Sequence, residues 1–306
     1  MTKIIAHRGA RNLWAENSLD GFRRTAELGV DAVELDLHLS SDGEIVVIHD
    51  PLLDRTTNGR GPVSGHSLEA LTLLRLRDTI DETIPTLAQV LDVFEPTGIE
   101  LELEVKTDAR GDPYPGLVEN TARMVEARGM VGRVRLTCFV PEILEEIRSR
   151  AGGFRRLASL DRRSSEMLGG LDRAIRRFLD LDCTIAVERT LLELEIERCR
   201  AAIGTDRLGV WVPNTPGELN YWLRQPVGQI TSDRPDIALG LRRQMTAGAA
   251  SSCFGSCAGE PRSAGRRANP RNLAKRLHEL GCVAADPVRS RTGEILAVVG
   301  WAMGAA

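Results

Sequence analysis

The chain has 306 residues, and its 40 lysines and arginines against 43 aspartates and glutamates give a net charge of −3 at pH 7. This balance argues against a protein that binds nucleic acid or an anionic membrane mainly by electrostatics, because both need a basic surface. Hydrophobic residues make up 42% of the chain and charged residues 27%, which is typical of a globular protein and excludes a disordered or collagen-like one.

No targeting or membrane-spanning segment is indicated by the sequence. The first residues run directly into a strand pattern, without the basic stretch and apolar segment of a signal peptide. No apolar run approaches the roughly 18 residues that a membrane-spanning helix needs. The six cysteines are scattered and are expected to be reduced thiols. We therefore expect a cytoplasmic protein without stable membrane insertion and without a nucleic-acid partner, whose oligomeric state stays open.

Short β-rich runs alternate with helical patterns over most of the chain. We predict strands over residues 3–6, 32–39, 99–105, 133–138, 156–160, 184–188, 209–212 and 229–231. We predict helices over residues 18–28, 86–94, 115–128, 141–150, 165–180, 191–203, 216–224 and 236–245. Eight consecutive strand–helix units predict the α/β class and a closed (β/α)8 barrel, or TIM barrel, with an open doubly wound sheet as the alternative.

Two segments interrupt this alternation. Residues 44–49 form a predicted strand that follows the turn Ser-Ser-Asp-Gly, so it should pair as a hairpin with the second strand. Residues 50–85 are rich in turn residues and are predicted to be an insertion after the second strand. Residues 247–306 begin with a Gly/Ala/Ser-rich basic stretch that is typical of a linker. We therefore predict a barrel domain over residues 1–246 and a C-terminal extension, an accessory or poorly ordered tail, over residues 247–306.

Polar side chains that are costly to bury collect at the C-terminal ends of the early strands, where (β/α)8 enzymes build their active sites. Glu34 and Asp36 lie two residues apart on one strand, so their carboxylates point to the same face. The same spacing relates Glu104 to Lys106. The full set at these strand ends is His7, Arg8, Glu34, Asp36, His49, Glu104 and Lys106.

Three carboxylates that converge on one barrel mouth repel one another unless a cation lies between them. Oxygen ligands alone suit a hard divalent cation such as Mg²⁺ or Ca²⁺ and do not suit zinc. A phosphodiester substrate would use every group in the set. The cationic groups would hold its non-bridging oxygens, while one imidazole accepts a proton and the other donates one to the leaving oxygen.

Several motifs give the chain a resemblance to a known family. They are HRG at 7–9, AENS at 15–18, GVDAVELDLHLSSDGEIVVIHD at 29–50, LDRTTNG at 53–59, IPTL at 84–87 and ELEVK at 102–106, with weaker matches at 137–144, 209–214 and 230–236. In these motifs the chain resembles the glycerophosphodiester phosphodiesterase family over roughly residues 3–245. The C-terminal tail has no counterpart in that pattern.

The resemblance implies a (β/α)8 barrel with a small insertion after the second strand. It also implies hydrolysis of a small-molecule glycerophosphodiester to glycerol 3-phosphate and an alcohol, with a divalent metal, Mg²⁺ or Ca²⁺. By position in the motifs, His7 and His49 are the catalytic pair, Glu34, Asp36 and Glu104 bind the metal, and Arg8, Lys106, Glu16, Asn17 and Trp211 bind the phosphate or the rest of the substrate. Direct attack by water and attack by the substrate's own hydroxyl, which gives a cyclic phosphate, both stay open.

Two other functions also stay open. A related barrel phosphodiesterase of the lysophospholipase D type would act on lysophospholipids, but it needs an apolar groove or an exposed hydrophobic loop, and residues 50–85 contain no such apolar run. A non-catalytic module that binds phosphodiesters is the second alternative. The sequence does not determine the preferred head group.

Three further polar residues each have two interpretations. His38 shares the face of the two strand carboxylates, and we expect a solvated residue at the rim of the site and not a further ligand. Glu102 is expected to form a salt bridge with a neighbouring strand, with a place beside the metal as the alternative. Glu188 either faces the barrel mouth or caps the following helix.

Overall fold

A computed structural model describes residues 1–253 of the chain, and the predicted extension therefore lies almost entirely outside the described residues. The strands are β1 Lys3–Ala6, β2 Ala32–Leu39, β3 Ile45–Val47, β4 Glu100–Val105, β5 Val134–Cys138, β6 Arg155–Leu160, β7 Cys183–Glu188, β8 Leu208–Trp211 and β9 Gln229–Ser232. The helices are α1 Leu19–Leu28, α2 Leu68–Thr72, α3 Leu87–Phe94, α4 Leu117–Ala127, α5 Pro141–Arg150, α6 Arg162–Met167, α7 Leu171–Asp180, α8 Arg189–Ile203, α9 Pro216–Trp222 and α10 Pro235–Cys253.

Eight of these strands form a closed parallel barrel. Around the barrel their order is β1, β9, β8, β7, β6, β5, β4 and β2, and pairing of β1 with β2 closes the ring. Helices follow the strands and cover the outside, as a (β/α)8 barrel requires. The predicted TIM barrel is therefore confirmed. All eight predicted barrel strands are present, each within one residue of its predicted ends.

The strand β3 lies at the mouth end of the barrel because β2 pairs with two different strands along one of its edges. One edge of β2 pairs with β4 from Ala32 to Leu37. The other edge pairs with β1 only at Ala32 and Val33, and then with β3 in antiparallel register from Leu37 to Leu39. The predicted hairpin is thus confirmed, and it carries the chain that follows β3 to the C-terminal ends of the barrel strands.

The alternation along β2 explains why every one of its eight residues is buried. Val33, Leu35, Leu37 and Leu39 belong to the main hydrophobic cluster, which lies between the strands and the surrounding helices. The intervening residues point the other way, into the barrel. An apolar outer face and a polar inner face on one strand are what a barrel with an internal site requires.

The segment between β3 and α3 has a small core of its own. Its apolar side chains Ile48, Leu53, Val63, Leu71, Leu76 and Ile84 pack together with Val46 of β3. The predicted insertion coincides with this cluster and also contains the five-residue helix α2, which the sequence pattern did not predict.

One predicted helix, over residues 165–180, is wrong as a continuous element. The structure has two helices there, α6 and α7, separated by Gly169 and Gly170. Both glycines have positive φ, 84° and 103°, which an α-helix cannot contain. Within residues 1–253, no helix combines the length and the apolar character that crossing a bilayer requires.

Candidate active site

The strand register brings four carboxylates together inside the barrel. In the parallel pair β2 and β4, Glu34 lies opposite Glu102, and Asp36 lies opposite Glu104. Neighbouring strands are about 4.8 Å apart, so inward side chains in register are close neighbours. Glu34, Asp36 and Glu104 each offer an oxygen such that these three atoms all lie within 4.8 Å of one another.

Two cationic side chains accompany this cluster. The Nζ of Lys106 lies 2.9 Å from Asp36 Oδ1 and 2.6 Å from Glu104 Oε1. The Nε of Arg8 lies 3.5 Å from Asp36 Oδ2, and its backbone N–H donates to Glu34 Oε2 at 3.0 Å. Burial opposes ionisation of Asp36, but Lys106 and further positive groups hold the pKa of this carboxyl well below its usual value.

The neighbouring cations and hydrogen-bond donors do not fully balance the negative charges of Glu34 and Glu104. Burial and repulsion from Asp36 and Glu104 raise the pKa of Glu34 well above its usual value, and burial also raises the pKa of Glu104. Glu34 Oε1 and Asn17 Oδ1 are buried without a hydrogen-bond partner within residues 1–253. A hard divalent cation satisfies unpaired oxygens and removes repulsion between carboxylates. The donor set therefore fits Mg²⁺ or Ca²⁺.

The loop after β1 holds Arg8 and Asn17 in an unusual backbone conformation. Arg8 and Asn17 have φ values of 50° and 54°, in the left-handed region that non-glycine residues rarely adopt. The Asn17 N–H donates to the Arg8 carbonyl at 3.0 Å, and Asn17 Nδ2 donates to Asp36 Oδ2 at 2.8 Å. Gly9, between them, has φ of 71°, and a Cβ there would lie 2.9 Å from the Phe22 ring. Positive φ and close packing together require glycine at this position.

His7, which follows β1, is held by a buried carboxylate that follows β9, the last strand of the barrel. Its Nδ1 lies 2.6 Å from Asp233 Oδ1, and its Nε2 lies 3.9 Å from Glu34 Oε2. Asp233 follows β9 and is itself fixed by Arg11 Nε at 2.9 Å and by Asn214 Nδ2 at 2.7 Å. Burial lowers the pKa of His7, although the hydrogen bond to Asp233 opposes this shift.

His49 has an analogous support built from the insertion. Its Nδ1 lies 2.6 Å from Asp50 Oδ1, and Arg55 donates to both Asp50 oxygens, at 2.6 and 3.0 Å. The same guanidinium donates to both oxygens of Glu16, at 3.0 and 2.6 Å. Arg55 therefore ties the insertion to the loop after β1. Burial lowers the pKa of His49 to about 4, although the charge of Asp36 opposes this shift.

Glu102 lies deeper in the barrel and has partners of its own. Its Oε1 accepts from Arg135 Nη1 at 2.9 Å and from Gln229 Nε2 at 3.0 Å. The expected salt bridge to a neighbouring strand is confirmed, since Arg135 lies on β5. Glu188 caps helix α8 by accepting from the backbone N–H groups of Thr190 and Leu191, which decides between its two interpretations.

A cavity of about 320 Å³ lies over these groups. The predicted site residues that line it are His7, Arg8, Glu34, His49, Glu104, Lys106 and Trp211. The wall contributed by β5 to β9 carries no charged side chain; there Phe139 packs edge-to-face on Trp211, with ring centroids 5.6 Å apart. Trp211 Nε1 donates to the Ala186 carbonyl at 3.0 Å, which fixes the indole. A charged half and a neutral half suit a substrate with an anionic centre and an uncharged or cationic alcohol.

The remaining predicted site residues lie around this cavity and not on its surface. Asp36 is fully buried beneath it, and Asn17 contacts Asp36. Glu16 lies on the wall of a neighbouring cavity of about 390 Å³, beside Arg55. The sequence interpretation gave no role to Asp50, Arg55 or Asp233, although all three occur in the quoted motifs.

The expectation that His38 is a solvated residue at the rim is wrong. Its relative exposure is 0%, and both ring nitrogens have partners. The pairing of β2 with β3 extends to Leu39, so His38 is covered by the hairpin and by Tyr114 from the loop after β4. A strand pattern alone does not show this covering loop.

Comparisons with known proteins place this architecture in a family. The sequence model of the glycerophosphoryl diester phosphodiesterase family matches residues 7–182. The chain belongs to this family. The matched range contains every predicted site residue except Trp211.

Two curated relatives have similar sequences. A glycerophosphodiester phosphodiesterase from Caldanaerobacter subterraneus subsp. tengcongensis is 34% identical over 155 residues, which cover 49% of this chain and 63% of that protein. A protein of the same name from Bacillus altitudinis is 34% identical over 145 residues, which cover 45% of this chain and 58% of that protein. The match thus spans between half and two thirds of the length of these relatives.

A solved structure extends the similarity to the whole barrel. The crystal structure of a candidate glycerophosphoryl diester phosphodiesterase from Agrobacterium tumefaciens superposes with a TM-score of 0.74 and 27% identity. The superposition covers 81% of this chain and 99% of that chain. The similarity therefore includes the later strands, which the match to the family model does not reach.

Proposed function

We propose that this chain hydrolyses glycerophosphodiesters to glycerol 3-phosphate and an alcohol, with a divalent metal and with His7 and His49 as the groups that transfer protons. One observation carries the proposal. Two histidines, each hydrogen-bonded at Nδ1 to a carboxylate, line the same cavity as a cluster of incompletely compensated carboxylates. Family membership supports the choice of a glycerophosphodiester as the substrate class.

The carboxylate partners determine the tautomers of the two histidines. An ionised carboxylate only accepts hydrogen bonds, so Asp233 and Asp50 each hold the proton of His7 or His49 on Nδ1. In the neutral imidazoles the lone pair is then on Nε2. That atom can accept a proton from an attacking hydroxyl or water, or carry a proton to a leaving oxygen. An anionic phosphodiester in the cavity favours the protonated form of an adjacent imidazole.

The carboxylates and cations divide the remaining tasks. Glu34, Asp36 and Glu104 would hold the metal, with the side-chain oxygen of Asn17 buried beside them. When bound, the metal supplies charge stabilisation for the developing negative charge on the phosphoryl oxygens. Arg8 and Lys106 line the cavity with positive charge and would bind the non-bridging oxygens of the phosphodiester.

The chemical step is a substitution at phosphorus. The attacking oxygen, from water or from the substrate's own hydroxyl, forms a bond to phosphorus and gives its proton to one imidazole Nε2. The bond between phosphorus and the alcohol oxygen breaks, and the alcohol oxygen takes a proton from the other imidazole. If the substrate hydroxyl attacks, water opens the cyclic phosphate in a second step with the proton roles reversed.

The test is release of glycerol 3-phosphate from glycerophosphocholine and from glycerophosphoethanolamine. We expect no release in EDTA and restored release after addition of Mg²⁺ or Ca²⁺, and the cation that restores more activity is the preferred one. His7→Ala and His49→Ala should each lower kcat about 1,000-fold with an unchanged circular dichroism spectrum. His66→Ala, in the insertion, is the matched control. Tight binding of these substrates without turnover in any metal would instead support a non-catalytic binding module.

Activity on lysophospholipids is the second candidate, and one observation favours it. The insertion has no apolar run, but three single apolar side chains in it are exposed: Leu52, Leu73 and Ile80, the last two at 76% and 83%. Such side chains suit contact with an acyl chain. Release of choline from lysophosphatidylcholine but not from glycerophosphocholine would make this the function and would replace the first proposal.

A further inference from the structure

His38 is a buried histidine to which the proposed mechanism gives no task. It lies on β2, two residues beyond Asp36, and its side chain is inaccessible to solvent. Its Nε2 lies 3.1 Å from the carbonyl oxygen of His49, and its Nδ1 lies 2.9 Å from the hydroxyl of Tyr114. The imidazole therefore bridges the backbone of His49 and the side chain of Tyr114.

The partners determine where the protons of this bridge lie. A carbonyl oxygen only accepts hydrogen bonds, so Nε2 of His38 carries a hydrogen and donates it to His49. In the neutral ring Nδ1 is then an acceptor, and the Tyr114 hydroxyl donates to it. Burial raises the pKa of Tyr114 to about 12, so its phenol keeps the proton at neutral pH and can donate it to Nδ1.

The bridge joins segments that are far apart in the sequence. Tyr114 belongs to the loop between β4 and α4, which is closed by a backbone bridge between Thr107 and Pro113. Its ring packs edge-to-face on His38, with centroids 5.5 Å apart and an interplanar angle of 89°. His49 follows the short strand β3. The position of the His49 backbone thus depends on the His38 side chain and on the loop after β4, and not only on the backbone pairing of its own hairpin.

The bridge complements the hydrogen bond at the His49 ring. Asp50 holds the imidazole at Nδ1, but Asp50 is the next residue in the chain and belongs to the same backbone segment. The carbonyl of His49 gives that segment an additional anchor on the barrel wall, next to the backbone hydrogen bond from the Ile48 N–H to the Asp36 carbonyl at 3.1 Å. Both His38 and Tyr114 are buried, so water cannot readily replace either hydrogen bond.

We propose that His38 and Tyr114 are positioning residues that hold His49 at the distance proton transfer requires, without contacting the substrate. This inference rests on the proposed function for its kinetic consequence. Loss of positioning affects the reacting geometry more than ground-state binding, so kcat should fall while KM changes little. A displacement of about 1 Å at a catalytic group costs on the order of 100-fold in rate.

Three variants test the bridge, and the second tyrosine of the chain supplies a control. His38→Leu removes both hydrogen bonds and should lower kcat about 100-fold. Tyr114→Phe removes only the hydroxyl and should lower kcat about tenfold, the scale of one hydrogen bond. His38→Gln keeps a donor and an acceptor at similar reach and should recover most of the His38→Leu loss. Tyr221→Phe, at a partly exposed ring that packs on Trp222, should leave kcat unchanged.

A second measurement does not depend on activity. The ring signals of His49 in a ¹H–¹³C spectrum, assigned by their loss in His49→Ala, should move in Tyr114→Phe and stay in place in Tyr221→Phe. If the wild type releases no glycerol 3-phosphate, the proposed function fails, and these signals alone decide the positioning role. Unchanged kcat together with unmoved His49 signals in Tyr114→Phe would overturn the inference, even if the melting temperature fell.

Discussion

Two glutamates that face each other across the same strand pair have very different surroundings. Glu34 on β2 and Glu102 on β4 are in register, both point into the barrel, and both are buried, with 6% and 5% relative exposure. Glu102 accepts hydrogen bonds from Arg135 and Gln229. Among residues 1–253, no group is hydrogen-bonded to one of the two Glu34 oxygens, and Glu34 lies beside two further carboxylates. The partners, and not the residue type or its burial, distinguish a structural carboxylate from a candidate metal ligand.

The partners matter because burying a charged side chain costs free energy. Transfer of a carboxylate out of water is expensive unless hydrogen bonds and an opposite charge replace its hydration. Arg135 supplies both for Glu102. For Glu34, burial and repulsion from the neighbouring carboxylates raise the pKa. A cation bound among these carboxylates would replace the repulsion with attraction. A cluster of buried carboxylates that repel one another is therefore a candidate cation site, and removing Glu34 and removing Glu102 should have different consequences.

The largest expected difference is in activity. Glu34→Gln should lower kcat/KM about 1,000-fold at saturating Mg²⁺, because a neutral amide replaces a charged ligand at the reacting phosphoryl group. Glu102→Gln should retain activity within about tenfold, since it leaves all three members of the cluster in place. The measurement is steady-state release of glycerol 3-phosphate by both variants. Equal losses in the two would mean that Glu102 also belongs to the metal site.

For stability, unlike activity, we expect the larger loss at Glu102 and not at Glu34. Glu102→Leu should lower the free energy of unfolding by about 3–5 kcal/mol, because Arg135 is left as a buried charge without its partner. The double variant Glu102→Leu/Arg135→Leu should recover most of this loss, since neither charge then remains buried. Urea unfolding in EDTA measures both. A double variant no more stable than the single one would show that the ion pair is not the source of the effect.

Metal binding should separate the glutamates again. At a Mg²⁺ concentration 100 times the dissociation constant, the wild type should gain about 2.7 kcal/mol in unfolding free energy. Glu102→Gln should show a similar gain and Glu34→Gln almost none. In EDTA, Glu34→Gln should melt at a higher temperature than the wild type because the repulsion within the cluster is smaller. If neither Mg²⁺ nor Ca²⁺ changes the melting temperature of the wild type, the result contradicts a metal site in this cluster.

The smallest expected effect concerns Asp233, a buried carboxylate compensated like Glu102 but located beside His7. Burial opposes its ionisation, but the hydrogen bond and charge of His7, with Arg11, lower the pKa of Asp233 to about 2. Because this value lies below that of the unfolded chain, near 3.9, the ionised group stabilises the fold fully above about pH 4. The contribution, about 2–3 kcal/mol, is lost as the pH falls through 2.

Asp233→Asn should remove this part of the pH dependence. The free energy of unfolding, measured in EDTA between pH 5 and pH 2, should fall less steeply in the variant than in the wild type. Asp81→Asn, at an exposed position of the insertion, is the control and should follow the wild-type curve. Parallel curves for Asp233→Asn and the wild type would mean that the pair with His7 does not depress this pKa.

The strands were predictable because a barrel strand has a strong local pattern. In β2 the alternation of apolar and polar residues predicts which side chains face the helices and which face the interior. The same alternation occurs in β4. The helix over residues 165–180 failed because a periodic apolar pattern can continue across two glycines while the backbone does not. The predicted division of the chain at residue 246 stays a prediction, and helix α10 continues to Cys253.

The site was predictable where residues close in sequence share a strand, and less so elsewhere. Glu34, Asp36 and Glu104 follow from parity and from the ends of strands. Asp233, by contrast, is 226 residues from His7, and only barrel closure between β9 and β1 makes them neighbours. The burial of His38 needed the loop that carries Tyr114, and no periodicity within β2 indicates what covers its end.

The sequence by itself therefore determined the order of elements, the face on which each strand residue lies and the chemical types gathered at the strand ends. These properties depend on interactions within a few residues, where period and turn chemistry are sufficient. Only the tertiary structure decided which carboxylate has a cationic partner and which histidine is supported by which residue. Those outcomes depend on strand register and on loops that meet across the barrel, because electrostatic compensation of a buried group acts between residues that are distant in the chain.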